Sequence, residues 1–73
     1  MKITLTRHAK NRNRKIKAAI SEIIECIENP DSCYIQEDGR EVAIKASGNK
    51  LLKIVFRRSL SGYEIITIID RNQ

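Results

Sequence analysis

The sequence predicts an α+β domain in which two N-terminal helices pack on one face of a three- to four-stranded antiparallel meander sheet. Three observations predict this class. An apolar stripe at helical spacing runs through residues 16–27, alternating apolar and polar residues follow from residue 33, and glycine-containing turns separate the alternating segments. Residues 1–73 suffice for one domain and leave no room for a second.

The N-terminal third predicts two helices. Thr6 is the expected N-cap of the first helix, which spans residues 7–15 and holds few large apolar side chains. The second helix has an apolar stripe formed by Ile16, Ala19, Ile20, Ile23, Ile24 and Ile27. It ends at Asn29, because the residue before Pro30 is pushed out of helical geometry. The segment before Thr6 alternates and predicts either a short N-terminal strand or an extended lead-in.

The second half of the chain predicts the sheet. The strands are expected at residues 33–36, 42–46, 51–57 and 63–70. Asp38-Gly39 is a hairpin-turn signal. Leu52, Ile54 and Phe56 share one strand face and are candidates for the core. The last strand is apolar on both faces, which favours a central position in the sheet.

Charge is segregated along the chain, whose net charge is +5. Residues 1–17 hold seven bases and no acid, residues 18–41 hold seven acids and one base, and residues 42–73 hold six bases and two acids. Such segregation creates a one-sided positive field that favours polyanionic partners. The alternative is that the acidic and basic segments neutralise each other within the fold.

Composition argues against several classes of protein. No apolar run reaches the roughly 18 residues that a membrane span needs. The N-terminus lacks the apolar stretch of a secretory signal, so we expect a cytoplasmic protein with Cys26 and Cys33 reduced. Two cysteines and one histidine cannot complete a four-ligand zinc site. We therefore expect no metal and no cofactor.

The first helix carries one candidate site. His8 and Arg12 lie four residues apart and therefore share a helix face. Arg14 and Lys15 add positive charge near the imidazole, which could act as a general base. The alternative is an exposed histidine in a basic helix that only helps to bind phosphate.

The last two strands carry a second candidate group. Lys53 and Arg57 share one strand face, as do Tyr63 and Thr67 on the next strand. Pairing through the turn at residues 58–62 would bring Arg57 close to Tyr63, and Lys53 toward Thr67. The alternative is a solvated sheet face, and a register slip of one residue would scatter the cluster.

Together these groups predict a metal-independent RNA-cleaving site, since cleavage through the RNA's own 2′-OH needs a proton acceptor, a proton donor and positive charge. His8 would be the general base or acid. The phosphate would be held by Arg12, Lys53 and Arg57, with Arg14 and Lys15 nearby, and the substrate would be oriented by Thr67 and Tyr63. One rival is a binding module without catalysis, for nucleic acid or an acidic protein segment. Another is a structural domain that dimerises through an exposed strand edge.

Several short motifs occur in a recognisable order. Residues 6–12 have the form T-x-H-A-x-x-R, and further matches follow at residues 28–31, 39–44, 52–56 and 65–69. This succession resembles a family of small prokaryotic domains placed beside RelE/ParE-type toxins in the barnase–EndoU–colicin–RelE group of ribonuclease folds. Where relatives often have an Arg-Gly-Ile-Ser turn between the helices, this chain has no glycine.

The resemblance implies two helices and a four-stranded antiparallel sheet. It also implies a metal-independent ribonuclease, commonly the toxin of a toxin–antitoxin pair, with RNA as substrate and an acidic antitoxin as partner. By position, His8 and Arg12 match the helix motif, Lys53 the basic residue of the middle strand, and Thr67 the hydroxyl residue of the final strand.

Overall fold

The computed structural model describes residues 2–72, and its elements are one strand, two helices and four further strands in chain order. The strands are β1 (Lys2–Leu5), β2 (Ser32–Ile35), β3 (Glu41–Ser47), β4 (Lys50–Ser59) and β5 (Gly62–Asp70), and the helices are α1 (Arg7–Ile16) and α2 (Ile20–Glu28). The predicted α+β class is confirmed.

The strands form a single mixed sheet in the order β1-β5-β4-β3-β2. β2 to β5 pair antiparallel, whereas β1 pairs parallel to β5 with Ile3 opposite Tyr63. The sheet thus has five strands rather than three or four. The two paired segments are far apart in sequence, so local alternation could not reveal the partner of β1. A Cβ on Gly62 (φ +150°) would overlap the Lys2 carbonyl oxygen, so glycine suits this close approach.

The core lies between the two helices and one face of the sheet. Leu52, Ile54 and Phe56 are buried there, as predicted. From the other elements the core receives Ala9, Ile16, Ala18, Ile23, Cys26, Ile27, Ala43, Tyr63, Ile65 and Ile68. α1 contacts β5 and β1, and α2 contacts β3 and β4. The helices therefore lie over different halves of the sheet.

The junction between the helices differs from the prediction. Ile16 ends α1 instead of beginning the second helix, because Lys17 takes a left-handed conformation at φ 58° and donates its N–H to the Asn13 carbonyl at 2.7 Å. The Asn13 side chain then accepts the Ala18 N–H at 2.9 Å and donates to the Ala18 carbonyl at 3.0 Å. The Asn13 side chain thus stabilises a turn whose residue at positive φ is Lys17 rather than a glycine.

A β-bulge interrupts the ladder between β4 and β5. Val55 pairs with Thr67, but the next residue, Phe56, pairs with Ile65, so Ile66 has no partner on β4. Phe56 and Ile65 belong to the core, whereas Val55 lies outside the core cluster. The bulge therefore changes which residues of β5 face the helices.

Candidate nucleic-acid interface

Helix α1 is anchored along β5, beyond the point where β1 ends. The Thr6 N–H donates to the Ile65 carbonyl at 3.0 Å, and the Thr6 hydroxyl donates to the Ile66 carbonyl at 2.9 Å. The same hydroxyl accepts the Ala9 N–H at 3.2 Å, which confirms Thr6 as the predicted N-cap. The first turn of α1 therefore lies beside Ile66 of β5, the residue before Thr67.

One side of α1 forms a polar surface, which we call the α1 flank. Its residues, His8, Asn11, Arg12 and Lys15, line a depression of about 330 Å³. Arg12 and Lys15 also line a neighbouring depression of about 220 Å³, together with residues at the end of β5. Ala9 and Ile16 are buried in the core on the neighbouring side of the helix, and Ile16 also lines the second depression. The α1 flank therefore borders the β5 segment between Ile66 and Asp70.

Within residues 2–72, ion pairs form with three of the six cations of residues 42–73 and with none of the cations of α1. The carboxylates of Glu22, Asp31, Asp38 and Glu41 pair with Lys50, Lys45, Arg40 and Arg58, respectively. All four of these cations lie outside α1. Across residues 2–72, no carboxylate forms an ion pair with a cation of α1. Neutralisation within the fold thus leaves α1 positively charged and exposed to solvent.

Arg58 contacts two aromatic rings as well as a carboxylate. Its guanidinium lies 5.9 Å from the ring centroid of Phe56 and 5.5 Å from that of Tyr63. The Glu41 carboxylate accepts a hydrogen bond from Arg58 Nε at 2.7 Å and raises the pKa of this guanidinium. Arg58 is therefore held by its own chain and is a poor candidate for phosphate binding.

The predicted contact between Arg57 and Tyr63 is wrong. Arg57 pairs with Glu64, and Tyr63 pairs with Arg58. Tyr63 is buried and packs edge-on against Phe56, with 5.5 Å between the ring centroids. Because the bulge at Ile66 shifts the register, Tyr63 faces the core while Thr67 faces the other side of the sheet. Tyr63 is therefore not in a position to orient a substrate bound on that side.

The other predicted sheet residues remain on one face, away from the helices. Lys53 pairs with Ile69 and Thr67 pairs with Val55, so Lys53 and Thr67 are diagonal neighbours rather than directly opposite. Arg57 lies on the same face of β4, two residues from Val55. The two depressions lined by the α1 flank include none of Lys53, Arg57 and Thr67.

Two further placements concern α1. Arg14 is exposed but lines neither depression, so only Lys15 of the predicted nearby pair belongs to the α1 flank. Asn11, which sequence reasoning missed, lines the depression beside His8. Its position three residues after His8 is the helical spacing that could have revealed it.

Comparison of this chain with family models, with curated proteins and with solved structures gives no match. Within residues 2–72, no cluster of three or more His, Cys, Asp or Glu side chains is arranged to hold a metal ion. Neither α1 nor α2 combines the length and apolarity needed to cross a membrane. The α1 flank is therefore the candidate functional surface among the described residues.

Proposed function

We propose that this chain binds RNA through the α1 flank and cleaves it without a metal ion. The observation that carries the proposal is the set of exposed cations around the only histidine, none of which is neutralised by an acid among residues 2–72. An exposed, unneutralised group of this kind attracts a polyanion by counterion release. Arg12 and Lys15 would contact phosphate oxygens, and arginine can do so through two parallel hydrogen bonds.

In the proposed reaction, the His8 imidazole accepts the proton of a ribose 2′-OH. The 2′ oxygen then attacks the adjacent phosphorus, the bond to the 5′ oxygen breaks, and the leaving oxygen takes a proton from water. The hydroxide that remains takes the proton from the His8 imidazolium and restores the neutral base. Arg12 and Lys15 stabilise the charge that develops on the phosphoryl oxygens. The products are a 2′,3′-cyclic phosphate and a free 5′-OH. Lys53, Arg57 and Thr67 lie on the sheet face away from α1 and take no part in this step.

The wider proposal is a RelE/ParE-type fold acting as the toxin of a cytoplasmic toxin–antitoxin pair. Two helices followed by four antiparallel strands support it. The T-x-H-A-x-x-R motif also has a physical explanation in this helix, since Thr6 caps it, Ala9 is buried, and His8 and Arg12 stay exposed. An acidic antitoxin would be expected to cover the α1 flank.

The test is cleavage of a single-stranded RNA in the presence of EDTA. The wild-type chain should produce fragments ending in a 2′,3′-cyclic phosphate. His8→Ala should lose cleavage but keep RNA binding and the circular dichroism spectrum, whereas the control Lys10→Ala, on another side of α1, should keep both activities. Unchanged cleavage in His8→Ala would remove His8 from the mechanism.

A second candidate is a non-catalytic module that uses the same flank to bind nucleic acid or an acidic protein segment. One observation favours it: across the described chain, no side-chain hydrogen bond orients the His8 ring, whereas a general base is commonly held by a further group. Steeply salt-dependent RNA binding by the wild-type chain, with no cyclic-phosphate product, would select this candidate.

A further inference from the structure

The edge strand β2 lies at the end of the sheet opposite to β5 and α1. All four of its residues are exposed, and the exposed fractions of Tyr34 and Ile35 are 47% and 70%. The Gln36 N–H donates to the Arg40 carbonyl at 2.8 Å, so even-numbered residues of this segment bond toward β3. Because bonding direction alternates in an antiparallel ladder, the backbone N–H and C=O groups of Cys33 and Ile35 point outward.

A mostly apolar depression of about 160 Å³ adjoins this edge on the side of the sheet that α2 covers. Its lining includes Ile27, Pro30, Cys33, Ile35 and Phe56. A strand added beside β2 would present every second side chain on that face. Outward backbone groups next to such a depression are what recognition by strand addition requires, since the backbone supplies affinity and the depression supplies side-chain specificity.

The charge around β2 indicates which partner would fit. Residues 28–38 contain four acids and no base. Asp31 and Asp38 pair with Lys45 and Arg40, but Glu28 and Glu37 form no ion pair with another residue in the range 2–72. A second copy of this chain, added through its own β2, would bring the same acids together. Basic flanking residues on the partner would instead complement them.

We propose that β2 accepts an extended segment of a partner protein as a sixth strand, one with alternating apolar residues flanked by Lys or Arg. The surface is separate from the α1 flank and does not depend on RNA binding or cleavage. The apolar side chains would contact the depression beside Ile35, and the flanking cations would lie near Glu28 and Glu37.

The probe is a capped peptide of sequence KVTVTVK, titrated into the full chain while backbone amides are followed by NMR. We expect shifts at β2 and slower hydrogen exchange at the Cys33 and Ile35 amides. The peptide EVTVTVE should bind about tenfold more weakly, because two favourable surface charge contacts become repulsive. KVTVTVK N-methylated at its valines and threonines, which lacks the backbone donors for either strand direction, should not bind at β2.

Two variants of Ile35 distinguish the contribution of its backbone N–H to peptide binding from that of its side chain. Ile35→Pro removes an outward N–H without removing a bond to β3, so the fold should persist while peptide binding is lost. Ile35→Thr keeps the N–H and should retain measurable binding. Equal binding to Ile35→Pro, shifts confined to other surfaces, or no shift with KVTVTVK at millimolar concentration would overturn the proposal. A peptide-independent dimer through β2 would also overturn it, by assigning the edge to a second copy.

Discussion

The sharpest test of the α1 flank is a comparison of two double variants with identical charge. Arg12→Gln with Lys15→Gln removes both cations of the depression, whereas Lys10→Gln with Arg14→Gln removes two exposed cations of α1 that line neither depression. Each double variant lowers the net charge by the same amount. A difference between them therefore reports where the RNA lies, not how positive the protein is.

The expected magnitude follows from counterion release. Each phosphate contact on a single strand contributes about 0.7 to the slope of log affinity against log salt concentration, so losing two contacts should reduce the slope by about 1.4. Between about 50 mM and about 200 mM salt, the affinity of the flank variant should then fall about sevenfold less than that of the wild type. The Lys10/Arg14 variant should keep nearly the wild-type slope.

Fluorescence anisotropy with a labelled, 2′-O-methylated RNA measures this slope, because a substrate without a 2′-OH cannot be cleaved through that group. Circular dichroism checks that both variants fold. Equal loss of slope in the two variants would refute the assignment of the RNA to the α1 flank and would indicate attraction by the general field of α1.

Three further predictions concern the fold. Lys17→Gly should raise the free energy of unfolding by about 1 kcal/mol in a denaturant titration, because glycine adopts positive φ without the strain that a side chain brings; an unchanged midpoint would contradict this. Hydrogen bonds from the Ala19 N–H and the Ser47 hydroxyl hold the pKa of Glu22 below its ordinary value of 4.5, so the stability they add is present above that pH and is lost as the pH falls through the native pKa. Acid titration of the unfolding free energy should be flatter for Glu22→Gln than for the wild type. Burial raises the pKa of the Cys26 thiol to about 11 while Cys33 is exposed, so a thiol reagent at about pH 8 should titrate one thiol in the native protein and both in guanidinium chloride.

The sequence predicts the helix cap and the hairpin turn correctly, because each depends on the chemistry of neighbouring residues. Thr6 caps α1 because its hydroxyl reaches the Ala9 N–H, and Gly39 takes φ +87° in the predicted hairpin turn. The predicted place of Ile16 in the second helix is wrong, because its spacing fits the stripe of that helix as well as the end of the first. Only the left-handed backbone of Lys17 separates the two, and lysine gives no sign of that conformation.

The candidate site was predictable to the same extent. Helical spacing groups His8 with Arg12, and the structure places both in one depression with Lys15. The sheet cluster depended on register, and one unpaired residue, Ile66, moved Tyr63 to the core. Nothing in an alternating apolar strand marks where such a residue will fall, because Ile65 and Ile66 are chemically identical.

Helix α1 does more than carry charge, because it runs beside the half of β5 that β1 leaves without a neighbouring strand. Deleting the N-terminal segment would expose the backbone N–H and C=O groups of β5, an isoleucine-rich strand. We expect such a truncated chain to self-associate through this exposed edge. The proposed RNA binding is therefore tested by side-chain substitutions, with the helix left in place as a cover.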